Sequence, residues 1–291
     1  MQKADRPLLG GAVVTGAGSG LGRAIALRLL EEGYGVVVAD VNLESGYGTM
    51  RLAEEAGYAD AIHFEQTDVI DEADIERAVQ AAVSHFGRLA VMVNNAGIAG
   101  AFGPLTEITA QDWDFTHAVL LRAVFLGTKH AARAFLAQDQ PGVVVNIASA
   151  AGYTAGLATH AYSSAKSAVI ALTRTTALEL AAHRIRVVAI SPGVIPTPIS
   201  GRLDDQFEAA LDTAQPWPEH GTAEQVSGVV AFAVGKDAEF ITGESIVVDG
   251  GLLTHGPGPQ LLTSLGLQTP RVAGIRYASS DKGATTEIRG R

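Results

Sequence analysis

The sequence predicts an α/β fold built on a doubly wound parallel sheet. Three observations carry it: strand-like and helix-like stretches alternate, a glycine-rich turn joins the first of each, and the second strand-like run ends in a carboxylate. Short apolar runs at residues 12–15, 35–40, 61–65, 89–94, 143–147, 185–190 and 245–248 read as strands. The periodic stretches between them, at 21–32, 43–56, 71–86, 110–137, 161–182 and 223–234, read as helices. Seven strands separated by six helices imply one parallel sheet with helices on both faces, because parallel neighbours need a crossover and the crossovers are right-handed. Ligands of such sheets sit at the carboxyl ends of the strands. The reading places this domain at residues 8–252 and a C-terminal extension at 253–291.

Residues 15–22 read T-G-A-G-S-G-L-G. Gly16 lets the chain turn sharply, Gly20 lets a ligand approach the backbone, and Gly22 lets helix and strand pack side by side. The helix start, with Ser19 and Leu21 in it, offers free N–H groups and the positive end of the helix dipole, a seat for a pyrophosphate. Asp40 ends the second strand, about 20 residues beyond the glycines, where an adenosine ribose presents its hydroxyls. Its carboxylate accepts hydrogen bonds from those hydroxyls and repels a 2′-phosphate, and its neighbours Val41 and Asn42 carry no positive charge. NAD(H) is therefore expected rather than NADP(H).

The composition fits an enzyme and excludes other classes. At 291 residues and 47% hydrophobic, the chain can bury a substantial core in one domain with an appendage. No apolar run approaches the roughly 20 residues of a membrane helix. The start, MQKADRPLLGG, lacks a signal peptide's apolar segment, so a cytoplasmic location is expected. The chain has no Cys, and its eight His are scattered, so no disulfide, thiolate chemistry or metal site is expected. A net charge of −10 argues against nucleic acid or an anionic membrane as partner. Residues 192–221 hold five of the eleven prolines (Pro192, Pro196, Pro198, Pro216, Pro218) and interrupt the alternation as a mobile lid does. The last forty residues carry no clear period. They read either as a partly disordered tail or as an arm packing on a neighbouring subunit through Leu261, Leu262, Leu265 and Leu267.

The chemistry is concentrated in Tyr162-Ser-Ser-Ala-Lys166. Residues four apart share a helix face, which puts a phenol beside an ammonium. A nearby cation favours the phenolate and brings it toward the range of a general base. Thirteen residues upstream, Ser149 follows a strand end, where its hydroxyl can meet a substrate oxygen.

Together, the turn at 15–22, Asp40, Asp68-Val69, Asn94-Asn95-Ala96-Gly97, Ser149, Tyr162-x-x-x-Lys166 and Pro192-Gly193 with Thr197 resemble the short-chain dehydrogenase/reductase family, from about residue 10 to 252. The resemblance implies a Rossmann-type fold and a catalytic set of Ser149, Tyr162 and Lys166. In it Tyr162 is the acid/base, Lys166 lowers its pKa and binds the nicotinamide ribose, and Ser149 orients the carbonyl or alcohol. It further implies that Asp68 and Val69 flank the adenine, that Asn95, Ala96 and Gly97 line the cofactor cleft, and that the stretch of Pro192, Gly193, Ile195 and Thr197 holds the carboxamide. A homodimer or homotetramer built on the helices at 110–137 and 161–182 is also implied. One position departs from the pattern: Leu120 stands where the family has an Asn that helps hold a relay water. Either the backbone carbonyl of residue 120 keeps that relay, or His117 one turn earlier substitutes, or Leu120 simply packs.

The substrate is expected over the nicotinamide, between Tyr153, Leu157 and His160 on one side and Ile195, Ile199, Leu203, Phe207 and Trp217 on the other. Such a lining suits an apolar or ring-shaped secondary alcohol or its ketone. Arg202 leaves room for a carboxylate. The leading expectation is an NAD-dependent alcohol dehydrogenase or ketoreductase. The alternatives are a ketoacyl-(acyl-carrier-protein) reductase, which Asp40 counts against, and a dinucleotide-sensing protein with weakened catalysis.

Overall fold

The computed structural model describes residues 7–200, 204–255, 274–277 and 285–288. The chain divides into two units, Met1–Leu253 and Thr254–Arg291. In the first, strands β1 (Gly11–Thr15), β2 (Gly35–Asp40), β3 (Ile62–Gln66), β4 (Leu89–Asn94), β5 (Gly142–Ile147), β6 (Ile185–Pro192) and β7 (Ser245–Val248) form one sheet. Its order is β3-β2-β1-β4-β5-β6-β7, with every pair parallel. The winding reverses between β1 and β4, and that switch leaves a crevice at the carboxyl ends of the strands. The seven-stranded, doubly wound Rossmann-type sheet is thus the one the sequence predicts.

The helices are α1 (Gly20–Glu31), α2 (Leu43–Glu55), α3 (Glu72–Phe86), α4 (Ala110–His117), α5 (Ala123–Gln138), α6 (His160–Leu180), α7 (Asp205–Asp212) and α8 (Ala223–Val234). They cover both faces because successive residues of the central strands point to opposite sides. Ala12 and Val14 of β1 pack with Ile25 and Leu29 of α1 and with Val226 and Val230 of α8. Val13, between them, packs on the other face with Val79 of α3, Phe135 of α5 and Ala177 of α6. A strand buried on both faces reads as a continuous apolar run, which is why β1, β2, β4 and β5 are visible in the sequence. Each fully buried Val or Leu contributes about 1.5–3 kcal/mol of transfer free energy.

Most helices begin on a side-chain cap. Asn42, Asp71, Thr109, Thr159 and Thr222 each accept a first-turn N–H of α2, α3, α4, α6 and α8. Ser19, before α1, accepts none, and the first turn of α1 holds no acidic residue.

The sequence reading is corrected in three places. Residues 110–137 are not one α-helix: a π turn at Ala118–Arg122 separates α4 from α5, with the Ala123 N–H donating to the Ala118 carbonyl. The proline-rich stretch contains a helix, α7, whose end is tied back where the His220 backbone N–H donates to Asp212 Oδ1 at 2.8 Å. In the second unit, strands β8 (Gly274–Tyr277) and β9 (Thr285–Ile288) pair antiparallel where no period was legible. Leu261, Leu262, Leu265 and Leu267 lie outside the described residues.

Candidate active site

The glycine turn takes its shape from backbone constraints. Gly16 and Gly20 have φ of 64° and 50°, a region a side chain disfavours. A Cβ on Gly22 would overlap the Gly16 carbonyl. Gly18, which the sequence reading passed over, is equally constrained: a Cβ there would lie 2.5 Å from Ser45 Oγ and 2.7 Å from Asp40 Oδ2. Asn95 braces the turn from β4, its amide donating to the Thr15 carbonyl at 2.8 Å. The Thr15 hydroxyl accepts the N–H groups of Asn95 and Ala96 at 2.9 and 3.0 Å. The turn is therefore held from outside, while the uncapped start of α1 leaves its own N–H groups for a ligand. This unfilled donor set fits a pyrophosphate.

Asp40 Oδ2 accepts the Gly18 N–H at 2.7 Å, and Oδ1 accepts that of Asn42 at 2.9 Å. Both carboxylate oxygens are thus oriented by the backbone at the mouth of the cleft. The flanking residues carry no cation, as expected, yet α1 brings Arg23 to the turn. Its guanidinium is committed, donating to the Gly18 carbonyl and to Thr49 Oγ1.

A cleft of about 690 Å³ runs across the carboxyl ends of the strands. Every site residue expected from the sequence lines it: Gly16, Ser19, Gly20, Leu21, Gly22, Asp40, Asp68, Val69, Asn95, Ala96, Gly97, Ser149, Tyr162, Lys166, Pro192, Gly193, Ile195 and Thr197. Of the expected substrate residues, Leu157, Ile195 and Ile199 line it, but Tyr153, His160 and Trp217 do not. Arg202 and Leu203 lie outside the described residues, as does the Phe207 side chain. The sequence reading missed Ile70, Ile98, Phe115 and Val119. The signal for Ile70 was its place directly after Asp68-Val69. Phe115 and Val119 fall within the stretch 110–137 read as one helix, where nothing local marks them as cleft residues. Among the described residues no cluster of His, Cys, Asp or Glu could hold a metal ion.

Ser149, Tyr162 and Lys166 meet because β5 ends beside α6. Ser149 leads a short 3-10 turn and accepts the Ala151 N–H at 3.1 Å. Thr159 caps α6 and fixes the start of the helix that carries both other residues. The Lys166 Nζ is buried, donates to the Ile147 carbonyl at 2.6 Å, and lies 5.6 Å from the centre of the Tyr162 ring.

The electrostatics of the pair are set first by burial. Burial pushes the Tyr162 phenol up from its ordinary value, and the hydrogen bond with Ser149 pulls it only partly back. Burial likewise brings the Lys166 ammonium down, to about 8. The desolvated pair thus starts with a reluctant base, and a positive charge arriving in the cleft is what would favour the phenolate.

Leu120 sits on the π turn, wholly buried, with its Cδ2 3.3 Å from where a Gly97 Cβ would be. It packs behind the cleft wall. His117 does not line the cleft: its Nδ1 pairs with the Trp113 carbonyl at 3.0 Å, its Nε2 with Ser164 Oγ at 3.2 Å, and its ring leans on Trp113. The substitute relay considered for His117 is not the arrangement found.

The chain is similar to known dehydrogenases and reductases. The family model described as enoyl-(acyl carrier protein) reductase matches residues 16–253. The 2-(R)-hydroxypropyl-CoM dehydrogenase of Xanthobacter autotrophicus is 40% identical over 247 residues, covering 82% of this chain and 96% of that protein. The cyclohexanol dehydrogenase of an Acinetobacter species is 38% identical over 239 residues, covering 82% and 93%. The crystal structure of levodione reductase superposes with a TM-score of 0.79 at 34% identity, over 86% of this chain and all of that one.

Proposed function

The chain belongs to the short-chain dehydrogenase/reductase family, oxidoreductases acting on CH–OH donors, and on that premise we propose an NAD(H)-dependent dehydrogenase of an apolar, ring-shaped secondary alcohol. The observation that carries the proposal is the convergence of Ser149, Tyr162 and Lys166 on a cleft whose other end is closed by Asp40 and the open donors of α1. Among the residues lining that cleft, Asp40, Asp68 and Lys166 are the charged ones. The two carboxylates belong to the adenosine half and Lys166 is buried, so no cation in the lining greets an anionic substrate. Ile98, Leu157, Pro198 and Ile199 offer apolar surface instead. The likeness to a cyclohexanol dehydrogenase supports a ring-shaped substrate.

In this reading the turn of residues 16–22 seats the pyrophosphate, Asp40 the adenosine ribose, Asp68 and Val69 the adenine, and Asn95, Ala96 and Gly97 line the cofactor's middle. Pro192, Gly193, Ile195 and Thr197 take the carboxamide. When bound, a nicotinamide cofactor would supply the hydride acceptor for alcohol oxidation and the hydride donor for ketone reduction. Ser149 holds the substrate oxygen beside the Tyr162 hydroxyl. Tyr162 takes the alcohol proton as the carbonyl forms and gives it back in reduction. Lys166 would hold the nicotinamide ribose, and its charge together with that of the oxidised ring would favour the phenolate that burial disfavours.

The catalytic domain occupies residues 8–252 with 253–291 as an appendage, and the protein acts in the cytoplasm as a homodimer or homotetramer. Among the described residues no helix is long and apolar enough to cross a membrane. A ketoacyl-carrier-protein reductase is disfavoured, since a net charge of −10 repels an acidic carrier. The test is cofactor reduction with cyclic, acyclic and carboxylated secondary alcohols, using NAD+ and NADP+ in parallel. The proposal expects NAD+ and uncharged cyclic alcohols to give the highest kcat/KM. Equal use of both cofactors, or a preference for the carboxylated alcohols, would overturn it.

A further inference from the structure

The residues expected to flank the adenine lie on a β-turn, closed where the Asp71 N–H donates to the Asp68 carbonyl at 2.9 Å. Asp68 Oδ1 accepts the Ile70 N–H at 3.1 Å, and the Asp68 N–H donates to Asp74 Oδ2 at 2.9 Å. These bonds set the inner shape of the turn. They do not fix how far its central residues, Val69 and Ile70, reach into the cleft that both line.

A hydrogen bond from the π turn reaches this loop. Arg122 Nη2 donates to the Ile70 carbonyl at 2.9 Å, across 52 residues of sequence. The same five-residue turn puts Val119 on the cleft wall and packs Leu120 behind Gly97. One turn of backbone thus touches the adenine end and the middle of the cleft together. A second attachment lies two turns on, where Lys129 and His130 both hold Glu72, at the start of α3. Glu72 is kept below the usual carboxylate range, first by the Lys129 hydrogen bond and then by that of His130. The π turn, through Arg122, and α5, through Lys129 and His130, thus hold the adenine loop and the helix after it.

We infer that Arg122 is a positioning residue for the adenine half of the cofactor: it touches no cofactor atom and acts by holding the Ile70 carbonyl, and with it the Val69–Ile70 wall. The guanidinium suits the task because it is always charged and presents its donors in a rigid plane. A charge-assisted bond also outlasts a water contact at an exposed carbonyl. The inference rests on the reading that adenine lies against Asp68 and Val69.

The test is calorimetric binding of ADP-ribose and of NAD+ to the wild type, Arg122→Met and Arg122→Lys. Methionine keeps an apolar stem and loses the donor. With the bond gone, both ligands should bind Arg122→Met about fivefold more weakly, the size of an exposed charge-assisted contact. Lysine should recover part of that loss. The melting temperature should stay within a degree or so, and the kinetic change should appear in cofactor KM rather than kcat. Failure of ADP-ribose to bind the wild type would overturn the cofactor reading itself. Equal binding of ADP-ribose to wild type and Arg122→Met would overturn this inference and leave that reading standing. A fall in melting temperature and kcat together in Arg122→Met, with no recovery in Arg122→Lys, would show a merely structural role and also overturn it.

Discussion

Lys166 carries its charge in the interior, and Lys166→Met isolates what that costs. Burial lowers its ammonium from 10.5 to about 8, and each pH unit corresponds to about 1.4 kcal/mol. Keeping it protonated at neutral pH therefore costs the fold roughly 3 kcal/mol. Between about pH 8 and 10.5 the folded protein binds fewer protons at this site than the unfolded chain. The stability of the wild type accordingly rises with pH across that window, and the full cost is present below it. Methionine fills a similar volume without charge and leaves the Ile147 carbonyl without its donor, a loss of about 1–3 kcal/mol that does not vary with pH. From about pH 7 to about pH 9.5, the difference in unfolding free energy between the two proteins should move by roughly 2 kcal/mol in favour of the wild type. Urea melts of both proteins at each pH measure it. Parallel stability curves would refute the picture of a desolvated ammonium.

Asp40→Ala should narrow the gap between NAD(H) and NADP(H), because it removes the like-charge repulsion of a 2′-phosphate; kcat/KM for each cofactor measures this, and an unchanged ratio would contradict it. Gly127→Ala should destabilise the protein by about 1–3 kcal/mol, since its Cβ would overlap Asn94 Oδ1 and come 2.7 Å from Met92 Cε; the melting temperature reports it. Leu120→Asn should also destabilise, by about 1–3 kcal/mol, because it puts an amide where a wholly buried apolar side chain stands. His117→Ala should lower turnover by the same factor in the wild type and in the Leu120→Asn background, as two uncoupled sites would; coupling in that cycle would restore His117 as a relay. Burial raises the Tyr162 phenol, so alcohol oxidation, which needs the phenolate, should accelerate with rising pH while ketone reduction slows. A flat oxidation profile would contradict that sign.

The sheet was legible because its central strands are buried on both faces, leaving uninterrupted runs such as Ala12 to Val14 and Val36 to Ala39. The cofactor end was legible because a glycine turn, a helix start and a strand-end carboxylate stand at fixed spacings. The π turn was not, since Ala118 to Leu121 is apolar throughout and shows no break in period. Its consequences were hidden with it: Leu120 faces Gly97, Val119 the cleft, and His117 turns to Ser164. Nothing in the local sequence singles out Arg122, because its bond to the Ile70 carbonyl spans 52 residues. The desolvation of Tyr162 was hidden for a related reason. Helical spacing reveals a neighbouring Lys166, whereas desolvation depends on everything packed around both groups.

The central claim is that Tyr162 moves the proton and does not hold the cofactor. Tyr162→Phe removes one oxygen and keeps the ring, so turnover and NAD+ affinity can be compared in a folded protein. Turnover should fall by about 10²–10⁴-fold, while the NAD+ dissociation constant from calorimetry stays within about threefold of the wild type. Turnover at the wild-type rate in Tyr162→Phe would contradict the account outright.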